Sequence, residues 1–184
     1  MTHQVYHGPD KLLRALARAL FDYFGHNLVS VVLFGSYARG QARPRSDLDL
    51  YVIAENLPRR LPDRVAYVHR ATNARFERPA SIIAECKREF VSGFPSLYLD
   101  LALDGIVLYD CDNFMTDKLA QIRRITREAG LRRVRVNGDF AWRWKRQPAP
   151  GWSLDWDGLH ELTSGSRVSV KSRRGLSARG GRRI

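Results

Sequence analysis

Residues 29–54 read VSVVLFGSYARGQARPRSDLDLYVIA, and this stretch decides the architecture of the chain. A β-branched apolar run ends at Phe34 and meets Gly35-Ser36. A polar turn follows, and a second apolar run then carries Asp47 and Asp49 two residues apart. Side chains at i and i+2 of a strand share a face. Asp47 and Asp49 therefore project together, while Leu48, Leu50 and Val52 face the core. Two carboxylates aimed at one spot repel each other unless a cation sits between them. Mg2+ (or Mn2+) suits the pair, because a hard ion takes carboxylates and substrate phosphates together.

The Gly-Ser pair supplies the other half of such a site. Gly35 lets a phosphate approach the backbone closely. Ser36 offers a hydroxyl and an N–H where the strand passes into a short helical segment, Tyr37 to Gly40. Backbone N–H groups at such a start attract anions. Arg39 lies within reach and can neutralise phosphate charge. A strand, a phosphate-gripping turn and a metal-binding strand, in that order, are a layout for nucleotidyl transfer.

This segment resembles the nucleotidyltransferase superfamily typified by DNA polymerase beta, above all its minimal stand-alone prokaryotic members. Their signature is G-S-x(10)-D-x-D, often within G-S-x-A-R-G…S-D-x-D-L. Gly35, Ser36, Ala38, Arg39, Gly40, Ser46, Asp47, Asp49 and Leu50 all match it. At average residue usage the four fixed positions alone arise by chance in roughly 0.3% of chains this long, so the match is specific. The looser stretch FPSLYLDLALDGIVLYDCDNF and the charged helix and Trp-rich strand after it extend the likeness to residue 150.

The resemblance implies a polymerase beta-like fold of class α/β (α+β), a small mixed sheet packed by helices. It implies Asp47 and Asp49 as catalytic metal ligands, with Gly35, Ser36 and Arg39 binding the phosphates of a nucleoside triphosphate. It also implies a third carboxylate on a neighbouring strand. The candidate strand, Arg78 to Ala84, carries no acid in its middle. Glu77 precedes it and Glu85 follows it. Glu85 is the candidate third catalytic acid, able to swing in from the strand end. Its position before Lys87 and Arg88 also suits a solvated glutamate at a helix start. One metal on Asp47 and Asp49 is the alternative to a two-metal site.

The rest of the chain reads as an α/β pattern. Asp10 to Phe24 is an amphipathic helix with Leu13, Leu16, Ala17, Leu20 and Phe24 on one face. It faintly resembles a transit peptide but has no small-residue cleavage site, and is read as the first helix of the domain. Leu28 to Phe34 and Asp47 to Ile53 are antiparallel strands. Pro62 to Phe76 is a helix burying Val65, Val68 and His69 or Ala66, and Pro79 to Ala84 is a third strand. Leu97 to Leu103 is a helix, Ile106 to Tyr109 a strand, and Asn113 to Ala129 a basic amphipathic helix closed by Gly130. Leu131 to Val136 and Phe140 to Lys145 are further strands.

The 184 residues, 44% of them hydrophobic, make one domain, or one domain plus an appendage. The expected division is a catalytic domain over 1–110, a helix and Trp-rich extension over 111–160, and a basic, disordered tail over 161–184. Cys86 and Cys111 have no metal-ligand spacing and read as packing residues of a reducing compartment, so the expected location is cytoplasmic. No apolar run is long enough to span a membrane.

Net charge is +12. Residues 164–184 carry seven basic residues and no acid. Such a tail cannot build a core, and offers non-specific RNA contact through phosphate charge. A solvated extension is the plainer reading. Arg123, Arg124, Arg127, Arg132, Arg133 and Arg135 form a second basic cluster, read mainly as a wet helix face. Trp142 and Trp144 suit base stacking or packing on either side of an edge strand. The five histidines show no catalytic pattern.

The expected activity is metal-dependent transfer of a nucleoside monophosphate from an NTP, ATP first, to an acceptor hydroxyl, releasing pyrophosphate. The resemblance leaves three acceptor classes. A partner protein, as in toxin–antitoxin modules, ranks ahead of a small molecule, and RNA third. The alternative is a catalytically silent relative that binds protein or RNA.

Overall fold

The structure, a computed structural model, describes residues 2–72 and 79–161. The basic tail, and with it the expected RNA contact, lies outside the described residues. Nine strands and six α-helices follow one another among them.

Strand β1 is His3–Val5, and helix α1 is Lys11–Phe24. The Asp10 carboxylate caps α1 by accepting from the N–H groups of Leu12 and Leu13. A single 3-10 turn leads into β2, Leu28–Phe34, which passes directly into the one-turn helix α2, Gly35–Ala38. Then come β3 (Leu48–Ala54), α3 (Leu61–Arg70) and β4 (Ala80–Glu85). Helices α4 (Lys87–Ser92) and α5 (Leu97–Asp104), strand β5 (Ile106–Cys111) and helix α6 (Phe114–Glu128) follow. Two hairpins end the described chain: β6 (Leu131–Val136) with β7 (Asp139–Trp144), and β8 (Ser153–Asp155) with β9 (Gly158–His160).

The main sheet is five-stranded and mixed, in the order β1-β5-β2-β3-β4. Only β3 and β4 run parallel, joined through α3; the other pairs are antiparallel. The central strand β2 is buried along six of its seven residues, and its one polar residue, Ser30, donates its hydroxyl to the Tyr109 carbonyl at 3.0 Å. Alternation divides β3 between two cores. Leu48, Leu50, Val52 and Ala54 pack with α1 and with Val68 of α3. Tyr51 and Ile53 face the opposite side, against Phe90 of α4, Leu101 of α5 and Met115 and Ile122 of α6. Asp47 and Asp49 belong to this second face by the same alternation.

Three expectations are corrected. Helix α3 ends at Arg70 and buries Val68 only; Val65 is 46% exposed. Trp142 and Trp144 are two positions apart, at i and i+2, so they share one face of β7 rather than flanking it. There Trp144 meets Trp152 with ring centroids 4.9 Å apart, while the Trp142 indole N–H donates to Asp100 at 3.1 Å. Glu85 ends a strand rather than starting a helix: α4 begins at Lys87, with Cys86 as its N-cap.

Candidate active site

The antiparallel ladder of β2 and β3 pairs Phe34 with Asp49. The turn that begins at Gly35 therefore starts beside the Asp49 carboxylate. Gly35 has φ +73°, and a Cβ built on it would lie 2.0 Å from Asp49 Oδ2. Both the backbone conformation and the close approach of the carboxylate exclude a side chain here. The sequence assigned this glycine to phosphate approach; the structure adds that it makes room for Asp49.

Ser36 is half-buried in the first turn of α2, where helical N–H groups have no partner within the helix. The Tyr37 hydroxyl donates to Asp10 Oδ2 at 3.1 Å, which ties the turn to the cap of α1. Asp47 is exposed and Asp49 half-buried. Burial raises the pKa of Asp49, the neighbouring Asp47 charge raises it further, and Arg39 pulls it back. Asp47, Asp49 and Arg39 thus act on one another electrostatically, as the sequence reading required.

Arg39 is held from a direction that the local sequence does not show. Its guanidinium lies 3.6 Å from Asp104 Oδ2 at the end of α5 and 5.2 Å from the centre of the Phe140 ring on β7. Asp104 also accepts from Arg133 of β6, and Asp100 receives Arg133 at 3.4 Å. Asp104, Phe140 and Arg133 were therefore missed as supports of the site. Their only signal in the sequence is the i, i+4 spacing of Asp100 and Asp104, which puts both carboxylates on one face of α5.

Glu85 is not brought to the aspartates. The parallel ladder pairs Asp49 with Ser81 and Ile53 with Glu85. Four residues at ~3.3 Å each put Glu85 about 13 Å along the strand from the rung of Asp49. Its carboxylate accepts the Tyr51 hydroxyl at 2.6 Å and the Tyr98 hydroxyl at 3.3 Å. Burial and the Glu85 charge hold both phenols protonated, Tyr98 with its pKa pushed up to about 12. The residue beside Asp49 on the neighbouring strand is Ser81, which carries no charge.

Two converging carboxylates, one of them half-buried and disfavoured as an anion by the other, form a donor set that fits a hard divalent cation shared with substrate phosphates. No cluster of three or more His, Cys, Asp or Glu side chains that could hold a metal exists among the described residues. Asp47 and Asp49 are the residues that would hold such an ion. No helix among the described residues is long and apolar enough to cross a membrane.

The profile of the nucleotidyltransferase domain matches residues 13–102, which run from α1 to α5. A Methanocaldococcus jannaschii protein, named as a candidate protein adenylyltransferase, is 32% identical over 129 residues. That alignment covers 65% of this chain and 83% of the relative. Among solved structures, a toxin–antitoxin complex with AMP-PNP aligns at 17% identity and a TM-score of 0.43, covering 61% of this chain and 89% of that one. The complex of a tri-AMPylated Shewanella oneidensis HEPN toxin with its MNT antitoxin aligns at 16% identity and a TM-score of 0.42, covering 63% and 84%. The signature on adjoining strand ends and the relative spanned over most of its length lead to one conclusion: this chain belongs to the nucleotidyltransferase domain family and is a nucleotidyltransferase.

Proposed function

We propose that the protein transfers AMP from ATP to a hydroxyl on a partner protein. The observation that carries the reading is the corner where the Asp49 carboxylate lies against the bare Cα of Gly35, with Asp47 and Arg39 beside it. ATP supplies the nucleotide, and the name of the Methanocaldococcus relative supports both adenylyl transfer and a protein acceptor.

In this reading Asp47 and Asp49 hold Mg2+ (or Mn2+) together with the triphosphate. The bound ion supplies charge stabilisation for the transferring and leaving oxygens. Ser36 and the backbone of the Gly35 turn hold the β- and γ-phosphates. Arg39, braced by Asp104 and Phe140, neutralises phosphate charge without being free to swing away. The acceptor oxygen attacks the α-phosphorus in line, the bond to the bridging oxygen of the β-phosphate breaks, and pyrophosphate leaves with that electron pair. The acceptor proton passes to solvent. Positioning and fixed charge do most of the catalysis. An ATP-using enzyme with two free thiols, Cys86 and Cys111, fits a cytoplasmic setting.

The test is a labelling assay in a lysate of the host cell with α-labelled nucleoside triphosphates supplied one at a time. An Asp47→Ala/Asp49→Ala double variant runs beside the wild type. Label from ATP on a protein band, lost in the variant, is the expected result. Label on RNA or on a small molecule would replace the acceptor, and no label at all from any nucleotide would overturn the proposal.

A further inference from the structure

Between α5, α6 and the β6–β7 hairpin lies a cavity of about 520 Å³, within the size range of binding pockets. Its floor is apolar: Leu99, Ala102 and Leu103 of α5 meet Leu131, Phe140 and Trp142 of the hairpin. Two of these remain open to water, Leu103 at 52% and Phe140 at 37% exposure. Its rim is basic. Arg123 and Arg127 come from α6, Arg132 and Arg133 from β6, and Lys145 follows β7; no acidic residue lines it.

The rim cations differ in how they are satisfied. Arg133 is neutralised by Asp104 and Asp100, and Arg123 donates to the Ala102 carbonyl at 3.0 Å. Arg127, Arg132 and Lys145 have no ion pair among the described residues. Glu128, the acid next to Arg127 in sequence, is taken by Arg124 at 3.3 Å. Three unneutralised cations around exposed apolar side chains repel one another, and an anionic occupant with an apolar body relieves both costs.

We infer that this cavity docks an acidic, amphipathic segment of a partner protein, with apolar side chains on the α5–hairpin floor and carboxylates on Arg127, Arg132 and Lys145. Charge complementarity sets the sign of the partner. The floor chooses peptide over nucleic acid. It is largely aliphatic, and its two rings are already engaged: Phe140 has guanidiniums of Arg133 and Arg135 at 4.3 and 5.1 Å, and Trp142 is bonded to Asp100. The basic tail of this chain carries the wrong sign to fill the cavity. Phe140 belongs both to the floor and to the brace of Arg39, so a docked segment lies next to the phosphate site. The inference rests on the protein-acceptor reading for the nature of the partner, and adds the surface that holds it.

The test uses a short fluorescein-labelled peptide with Leu and Glu at helical spacing, a control with Lys for every Glu, and a single-stranded oligouridylate. The full chain should bind the acidic peptide saturably, more weakly as salt rises, and should ignore the Lys peptide. The variant Arg127→Glu/Arg132→Glu/Lys145→Glu should lose about tenfold or more in affinity. Leu103→Glu, which alters the floor at an exposed position, should lose binding as well. Binding of a fluorescent ATP analogue should stay unchanged in both. Equal binding of the two peptides, or a charge-reversed variant that binds like wild type, would overturn the inference. Oligouridylate that displaces the peptide and is itself lost in the variant would reassign the cavity to nucleic acid. The lysate labelling is read separately: peptide binding without any labelled protein would sink the acceptor reading while the dock stands.

Discussion

The paired strands β3 and β4 carry acids at opposite ends of one sheet face, yet the two ends treat them in opposite ways. At the N-terminal end Asp47 and Asp49 crowd one another, and burial holds the pKa of Asp49 up. Arg39 works against both effects on Asp49. At the C-terminal end Glu85 is satisfied by two phenols, one of them at 2.6 Å. A carboxylate left short of partners is available to a cation and substrate. One that is fully bonded is a structural strut. Alternation together with the β3–β4 register gives both ends the same face, and only their neighbours separate the two roles.

The largest effect should come from the open end. Asp47→Asn or Asp49→Asn is expected to lower turnover by at least about 10³-fold, measured as label transfer or pyrophosphate release. Near-normal activity in either variant would erase the distinction between the two ends. For Asp49 the raised pKa also fixes a sign. Burial and the Asp47 charge disfavour the Asp49 anion in the folded, metal-free protein relative to the unfolded chain, so the contribution of this group is present at low pH and lost as pH rises through the raised pKa. Asp49→Asn should therefore raise the Tm of the metal-free protein at neutral pH while removing activity.

Gly35→Ala ranks next. The strained φ alone costs about 1–3 kcal/mol, and the new methyl forces the Asp49 carboxylate aside. A displacement of ~1 Å at a reacting centre costs on the order of 10²-fold, so both the Tm and turnover should fall. A fully active Gly35→Ala protein would show that the carboxylate does not need its place against the turn.

Glu85→Gln should reverse that balance. It weakens the bonds from Tyr51 and Tyr98 and is expected to cost about 1–2 kcal/mol of stability, read by denaturant unfolding. Activity per folded molecule should stay at the wild-type level. A collapse of activity with stability intact would restore Glu85 to the catalytic site. Ser81→Asp sharpens the contrast from the other side by placing a carboxylate on the rung beside Asp49. Calorimetric titration with Mn2+ in the presence of a non-hydrolysable ATP analogue should then show a second binding event that the wild type lacks.

The smallest effect concerns Glu89, on the helix that follows Glu85. Bonds from Arg64 and from the Cys86 N–H lower its pKa from 4.5 to about 2. The stabilisation from this group is fully present above pH 4.5 and is lost as pH falls through about 2. Glu89→Gln should flatten the acid side of the stability profile in that window and leave neutral-pH activity untouched.

How much of this was legible in advance depends on distance along the chain. The strand–turn–strand core was readable because its rules are local. Alternation gave Asp47 and Asp49 a shared face, the β-branched apolar run marked a strand, and Gly35-Ser36 announced the turn. The parallel rung that sets Ser81 beside Asp49 was not readable. The β3–β4 register pairs residues far apart in the chain, and one candidate acid at a strand end looks much like another until that register is known.

The sequence by itself determined the strand–turn–strand segment, the shared face of Asp47 and Asp49, and the excess of positive charge, because each follows from residue type and short-range spacing; the mixed sheet followed from the resemblance that the segment carries. Only the tertiary structure decided that Glu85 is a strut, that Arg39 is braced by Asp104 and Phe140, and that unneutralised cations of α6 and the hairpin surround one apolar cavity. Those contacts join segments far apart in the chain, and only the packing of the two cores against the sheet brings them within a few ångströms.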